Sequence, residues 1–337
     1  MMLCTALLSS VVSNVPTCAI FMTVGTGFLA LYTDEKQRKP GAKAFMIGIP
    51  VASMIGGMMT PAGSSINLLA IELLENATGQ TITFAQWMAV GIPFSFMILP
   101  AAWWLMIKVY KPEELDTTAL QAFIKTLNVP EKLSSKEKKV LIITAVMLVL
   151  WIASSWIRAI NVMVVALLGC CALFMPKVEV LEWKSFSKSI SWDSFFLVGT
   201  VLSFGNVMVK NGVSDWILTL LPIQTMSMNI FAAFCALLLF SMLVVIPVAP
   251  SLVTLMAEPL FILAAYSEIN PVIAAFVLAF CAANCYLLPL DTVTLLTYST
   301  GAYSMTDMPK STFPLQLWVC AALSIWLPFI CNGLKIA

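Results

Sequence analysis

Residues 44–72 are long and apolar enough to cross a bilayer, yet their centre reads Gly-Gly-Met-Met-Thr-Pro-Ala-Gly-Ser-Ser-Ile-Asn, from Gly56 to Asn67. That stretch is built to break a helix. Proline removes a backbone donor, and glycine removes stiffness. In hydrocarbon the freed backbone groups must be met by protein, water or a ligand. A polar break at mid-membrane depth therefore marks a candidate binding site. The plainer reading is a kinked helix whose serines bond back to their own turn.

A second break favours the site. Cys285–Leu295 reads Cys-Tyr-Leu-Leu-Pro-Leu-Asp-Thr-Val-Thr-Leu. Pro289 lies 228 residues after Pro61 and Thr292 lies 228 after Ser64, while Thr78-Gly79 recurs 222 residues later as Thr300-Gly301. Two hydrophobic segments broken at corresponding places in two halves point to a transporter site.

Composition sets the class. Only 10% of the residues are charged and 60% are hydrophobic, whereas a soluble domain carries about 25% charged residues. The chain reads as an all-α polytopic membrane protein. The absence of histidine excludes histidine metal sites, histidine proton relays and the usual serine triad. Nine cysteines show no C-x-x-C pair or metal-ligand spacing, and Cys170-Cys171 reads as apolar packing. No basic patch interleaved with aromatics suggests nucleic acid.

Taken in order, residues 1–31 form two apolar arms around Ser13-Asn14-Val15. Each arm is too short to cross about 30 Å, so a re-entrant hairpin is expected. A polar loop (Tyr32–Lys43), a broken helix (44–72) and a helix (84–107) complete a first repeat over 1–107. A lysine-rich linker spans 108–139, and scaffold helices occupy 140–227, including a span over Trp192–Val209. Asp193 reads there as a charge at a helix N-terminus. A second repeat, 228–337, holds a hairpin (228–266) with Pro247–Ser251 at its tip, a broken helix (271–298) and a helix (312–331). Glu258, in that hairpin, faces either an aqueous cavity or an interface.

The basic residues test this topology. With the Tyr32–Lys43 loop inside, Lys36, Arg38, Lys39, Lys43, the seven lysines of 108–139, Lys177, Lys184, Lys188 and Lys310 also fall inside. Only Arg158, Lys210 and Lys335 fall outside. This positive-inside bias makes the linker cytoplasmic and requires each hairpin to return to its own side. The second repeat then starts from the opposite side, giving an inverted-repeat transporter with two re-entrant hairpins and two broken transmembrane helices.

The arrangement resembles the divalent anion:sodium symporter family, the transporters of dicarboxylates, citrate and sulfate. That family carries Ser-Asn-Thr at each hairpin tip and Gly-Ser/Thr-Pro-Pro-Asn or Ala-Thr-Pro-Pro-Asn in each broken helix. Ser13, Asn14, Gly63, Ser64 and Asn67 match in the first half, and Pro289 and Thr292 in the second. Ser251 is a conservative match. The resemblance implies about four further spans before the first hairpin, so a fragment or a truncated, non-transporting remnant is expected. It implies a homodimer when complete, in the lipid bilayer of a bacterial inner membrane.

It also implies a site. One sodium ion would be held by Ser9, Ser13, Asn14 and Gly63. The anion would lie between Asn14, Val15 and Ser64 on one side and Pro250, Ser251 and Thr292 on the other. Val15 lacks the family's hydroxyl. At the second cation site, Ser9, Ser13 and Asn14 correspond to Val245, Ala249 and Pro250, which carry no side-chain oxygen. Asp291 stands where the family has a small residue. An ionisable group at membrane depth is a functional hypothesis: Asp291 anchors a cation or takes up a proton. Equally, it caps the following half-helix.

The function expected is sodium-coupled transport of a small divalent anion by elevator-like alternating access, with a C4-type dicarboxylate as substrate. Sulfate or a tricarboxylate, and exchange rather than symport, stand as alternatives, as does a passive channel. A membrane-embedded enzyme would need a nucleophile with its base or facing aspartates, and Asp291 has no evident partner.

Overall fold

The computed structural model describes residues 1–32, 34–115, 133–157, 159–176, 178–189, 226–246 and 248–334, with single positions between 118 and 123 and between 196 and 216. Residues 124–132 of the 108–139 linker, most of the expected Trp192–Val209 span and Asp193 lie outside the described residues, as do Arg158, Lys177, Pro247 and Lys335. The described residues are helical and contain no strand. The chain divides into two units, the larger holding Met1–Ile82, Trp87–Asp116 and Val198–Ala337.

The larger unit opens with α1 (Met2–Val12) and α2 (Asn14–Leu29). At 11 and 16 residues they reach only about 16 and 24 Å, short of the roughly 30 Å of hydrocarbon. A Cβ placed on Gly25 would stand 3.4 Å from the Met1 methyl. Met1 and Gly25 each lie twelve positions from Ser13, so the pair folds back on itself there.

The next helix, α3 (Glu35–Gly57), begins earlier than the expected broken helix at 44. Asp34 caps it, accepting from the Lys36 amide at 2.9 Å, and Glu35 sits favourably in the first turn. Most of the expected Tyr32–Lys43 loop is therefore helix. After the first break come α4 (Ser65–Thr78) and α5 (Phe84–Tyr110), which carries Pro93 and Pro100 internally.

In the smaller unit, α6 (Ser135–Ala153) starts with a Ser134–Glu137 capping box, so Lys136, Lys138 and Lys139 belong to this helix and not to the linker. It packs on α7 (Val162–Phe174), capped by Asn161, and α8 (Trp183–Ser189) follows. The larger unit resumes with α9 (Met228–Val245), α10 (Ala249–Tyr266), α11 (Pro271–Ala283), α12 (Thr292–Tyr298) and α13 (Met308–Leu334). Among the described residues, α5, α9, α10 and α13 are long and apolar enough to cross a membrane by length and composition. The two helix pairs thus differ: α9 and α10 have 18 residues each, against the shorter arms of α1 and α2.

The halves of the larger unit interlock crosswise. The α12 half-helix packs on α2 and α3, while α10 and α11 pack on α4. Aromatic rings fasten the middle: Phe280 stacks on Phe94 with centroids 5.3 Å apart and meets Trp87 edge-on at 5.6 Å. Trp87 donates its indole N–H to the Met58 carbonyl at 3.0 Å, meeting a carbonyl freed by the first break.

One end of this unit gathers three segments that the basic-residue count placed on one side. Lys43 and Lys310 both reach the Asp307 carboxylate at 2.8 Å. The Tyr110 hydroxyl donates to the Asp307 carbonyl at 2.8 Å, and the Tyr32 hydroxyl to the Glu113 carbonyl at 2.7 Å. Burial pushes the Asp307 carboxyl up, but hydrogen bonds from Lys310, Lys43 and Ser304 outweigh it and hold the group well below its ordinary 3.8. A depressed carboxylate stabilises the fold at pH values above its unfolded pKa, and that stability is lost as pH falls through the folded one.

Melting temperature in detergent should therefore be insensitive to Asp307 titration above about pH 4 and fall below it. Asp307→Asn should flatten that acid limb while lowering the melting temperature at neutral pH. A second test addresses the hairpin. A Cβ on Gly56 would lie 2.1 Å from the Ala6 carbonyl oxygen, so Gly56→Ala should drive the protein into aggregates on size exclusion. Gly79→Ala, where φ is 70° but nothing crowds the Cβ, should cost only about 1 kcal/mol and stay monodisperse.

Candidate functional site

The first break is held open by its own side chains. After α3 ends at Gly57, Thr60 caps a single 3-10 turn, Pro61–Gly63, accepting from the Gly63 amide at 3.0 Å. Ser64 then caps α4, its hydroxyl accepting from the Ile66 amide at 3.4 Å. Asn67 reaches back and donates to the Gly57 and Thr60 carbonyls at 2.7 and 2.8 Å. These bonds meet carbonyls that a helix end leaves free.

Against this break lies the turn between α1 and α2. Thr60 donates to the Ser10 carbonyl at 2.6 Å. Ser9 donates to the Asn14 side-chain oxygen at 2.8 Å and stands 3.1 Å from the Ser53 hydroxyl. Ser53 donates to the Asn14 carbonyl at 2.8 Å. Glycine permits this approach: a Cβ on Gly57 would fall 2.1 Å from Asn14 Oδ1, and one on Gly63 would fall 2.7 Å from the Gly57 carbonyl oxygen. Ser9, Ser53 and Asn67 have no exposed surface, and Asn14 is 7% exposed. Ser13, at the tip, holds φ 82° and ψ 159°, a region almost reserved for glycine that costs a serine about 1–3 kcal/mol.

The structure thus brings together Ser9, Asn14 and Gly63 and adds Ser10, Ser53, Thr60 and Asn67. Sequence reading did not select Ser53; its signal is its position one turn before Gly57. Val15 and Thr292 are exposed, and Pro250 and Ser251 are half-buried at the start of α10. None of the cluster's hydrogen bonds involves these four residues or the Ser13 side chain. The buried Asn67 Oδ1 has no hydrogen-bond partner among the described residues, and the same is true of Thr17 Oγ1 and Asn284 Oδ1.

The second break follows the same design with different chemistry. Asp291 caps α12, its Oδ1 accepting from the Val293 amide at 3.0 Å. As caps, Ser64 and Asp291 are equivalent, so the proline alignment that set Thr292 against Ser64 is one residue out of register. Thr292 instead matches Ser65, both exposed first residues of their half-helices. The α12 half-helix has 7 residues against 14 in α4, which explains the shorter offset of the Thr-Gly pair. Gly79 and Gly301 share φ 70°.

Two contacts join the breaks. Cys18, one turn after Asn14, donates its thiol to the Val293 carbonyl at 3.5 Å. Asn284, at the end of α11, donates to Met58 Sδ at 3.2 Å.

Two helix breaks, the first packed through glycine, within an all-α polytopic membrane protein are the arrangement that membrane transporters use. The family model for citrate transporters matches residues 1–281, and the chain belongs to that family, one of transporters and not of enzymes. The chain is similar to an uncharacterized transporter of Haemophilus influenzae, 24% identical over 95% of this chain and 69% of the relative. It is also similar to a sodium-dependent dicarboxylate transporter of Staphylococcus saprophyticus, 24% identical over 94% and 65%. A citrate/succinate antiporter of Escherichia coli K12 is 23% identical over 56% and 38%. The chain thus spans between 38 and 69% of the length of these relatives.

The cluster makes a paired prediction. Gly57→Ala must displace the Asn14 side chain and should lower the melting temperature in detergent by several degrees. Ser13→Gly relieves the φ strain and should raise it by a few degrees. If both substitutions leave melting unchanged, the turn does not depend on this contact.

Proposed function

We propose that this chain carries the substrate-handling part of a secondary active transporter for small divalent organic anions, with a C4-type dicarboxylate as substrate and sodium as coupling ion. The observation that carries the reading is the cluster of neutral oxygens where the α1–α2 turn meets the first break. Neutral hydroxyl, amide and carbonyl oxygens suit a hard monovalent cation. The donor set (Ser9 Oγ, Asn14 Oδ1 and the Ser10 and Gly57 carbonyls) suits sodium, and Gly57 and Gly63 pack it so closely that no Cβ could enter. The unpartnered Asn67 Oδ1 supports the same reading. Bound sodium would add positive charge beside a dianion that cannot sit at membrane depth unneutralised.

Ser64 and the free amides at the starts of α2 and α4 would orient the anion's carboxylates. Thr292 and the start of α10, with Pro250 and Ser251, would contribute from the other half. Both helix pairs are read as re-entrant hairpins that return to their own side, as the basic-residue bias requires. The two repeats then run in opposite directions and would move as a unit against a scaffold. The protein would work as a homodimer in a bacterial inner membrane with its basic loops cytoplasmic.

Coupling to a proton in place of a second sodium is a second reading, favoured by one observation, with exchange as a further alternative. Asp291 stands where the first half uses a neutral serine cap. It would hold the second cation or take up a proton in its place.

Uptake of labelled succinate into proteoliposomes, with the complete coding sequence expressed, tests both readings. Sodium-driven accumulation, with sulfate, citrate and tartrate ranked as competitors, is the expected result. Uptake driven only by internal dicarboxylate establishes exchange. A folded protein that moves none of these anions refutes the assignment. Asparagine caps a helix about as well as aspartate, so Asp291→Asn should keep the fold while changing the sodium or pH dependence of uptake.

A further inference from the structure

The end of the larger unit that gathers Lys43, Tyr110 and Asp307 also holds a cavity of about 810 Å³, within the roughly 300–1,000 Å³ range of small-molecule sites. It is distinct from the oxygen cluster at the first break. Its buried lining residues, which form the floor, include Leu29, Met46 and Tyr303. Met46 precedes Ser53 by two turns of α3, which puts the floor about 10 Å along that helix from the cluster. Tyr303 ties the floor to the second half: its hydroxyl donates to the Thr294 carbonyl at 3.2 Å, on α12.

The charges on the wall are unbalanced. Arg38, Lys39, Lys43 and Lys310 face two carboxylates, Glu35 and Asp307. Lys39 and Glu35 neutralise each other at 3.1 Å on the exposed rim. Asp307 is shared by two lysines, so one positive charge remains there. Arg38 has no carboxylate partner among the described residues and supplies a second. The net wall charge is thus opposite and equal to that of a dicarboxylate. A guanidinium beside ammonium groups also offers the forked donors that carboxylates accept.

We propose that this cavity is an anion-receiving antechamber that captures a di- or tricarboxylate between Arg38 and the Lys43–Asp307–Lys310 bridge. A cleft lined by one sign of charge raises the local concentration of its counter-ion and its rate of arrival. The identity of the anion rests on the transport reading above; the cavity and its charge do not. The antechamber serves the cytoplasmic side, where the basic loops lie.

The test reads occupancy and needs no transport. Thr306 is exposed on the cavity wall, so the T306C variant of the complete protein is labelled with uncharged N-ethylmaleimide. Modification of residue 306 is then followed by peptide mass, which separates it from the exposed Cys4 and Cys171. Succinate or citrate should slow labelling about fivefold, and dimethyl succinate and chloride at matched ionic strength should not. Adding Arg38→Gln should abolish the protection. Adding Lys36→Gln, on the same helix but outside the cavity, should preserve it. Equal protection by chloride, no protection by either carboxylate, or full protection in the Arg38→Gln background overturns the proposal. Protection without uptake refutes transport alone, and sodium-driven uptake without protection refutes the antechamber alone.

Discussion

The structure depends on a backbone-to-backbone approach inside hydrocarbon. The turn between α1 and α2 is pressed onto the glycine end of α3, so closely that Gly56 and Gly57 have no room for a side chain. In water, a helix that stops in mid-course can leave its last carbonyls to solvent. Here they must be met internally. Asn67 meets the Gly57 and Thr60 carbonyls and Trp87 the Met58 carbonyl, while Thr60 meets the Ser10 carbonyl and Ser53 the Asn14 carbonyl across the junction. The polar groups that make a binding site conceivable are therefore also those that make the break tolerable.

That double role shapes the two halves differently. The first break is satisfied by neutral groups and carries a tightly bonded oxygen cluster. In the second, a carboxylate is the cap, and the half-helix behind it is half as long. The crosswise packing of α12 on α2 and of α10 on α4 lets each half lean on the other's break.

Much of this was legible in the sequence because the bilayer leaves few alternatives. Pro61 and Pro289 differ from Pro93 and Pro100, which stay inside α5, in having polar residues around them, and the helix breaks at both. The short arms around Ser13 could not cross, and the basic residues could not be shared evenly between the two faces. Less legible was anything that depends on register. Ser53 looked like one small residue among many until its turn of α3 was set against Asn14. Asp291 was aligned with Gly63 through the prolines, yet its carboxylate does the work of Ser64. The start of α3 was set at 44 because Lys36, Arg38, Lys39 and Lys43 read as loop; Asp34 capping at 2.9 Å begins the helix at Glu35 instead.

The sequence by itself determined the class of protein, the positions of both breaks and the gathering of basic segments at one end. Each follows from hydrophobic length and charge, which act over whole segments. Only the tertiary structure decided which oxygens share a site and which residues cap the breaks. It also decided that Lys43 and Lys310 converge on Asp307 in a cavity that Arg38 lines as well. Those outcomes turn on ångström-scale approaches between residues distant in the chain. Their physical cause is the demand that buried polar groups find partners, and only the assembled helices supply those partners.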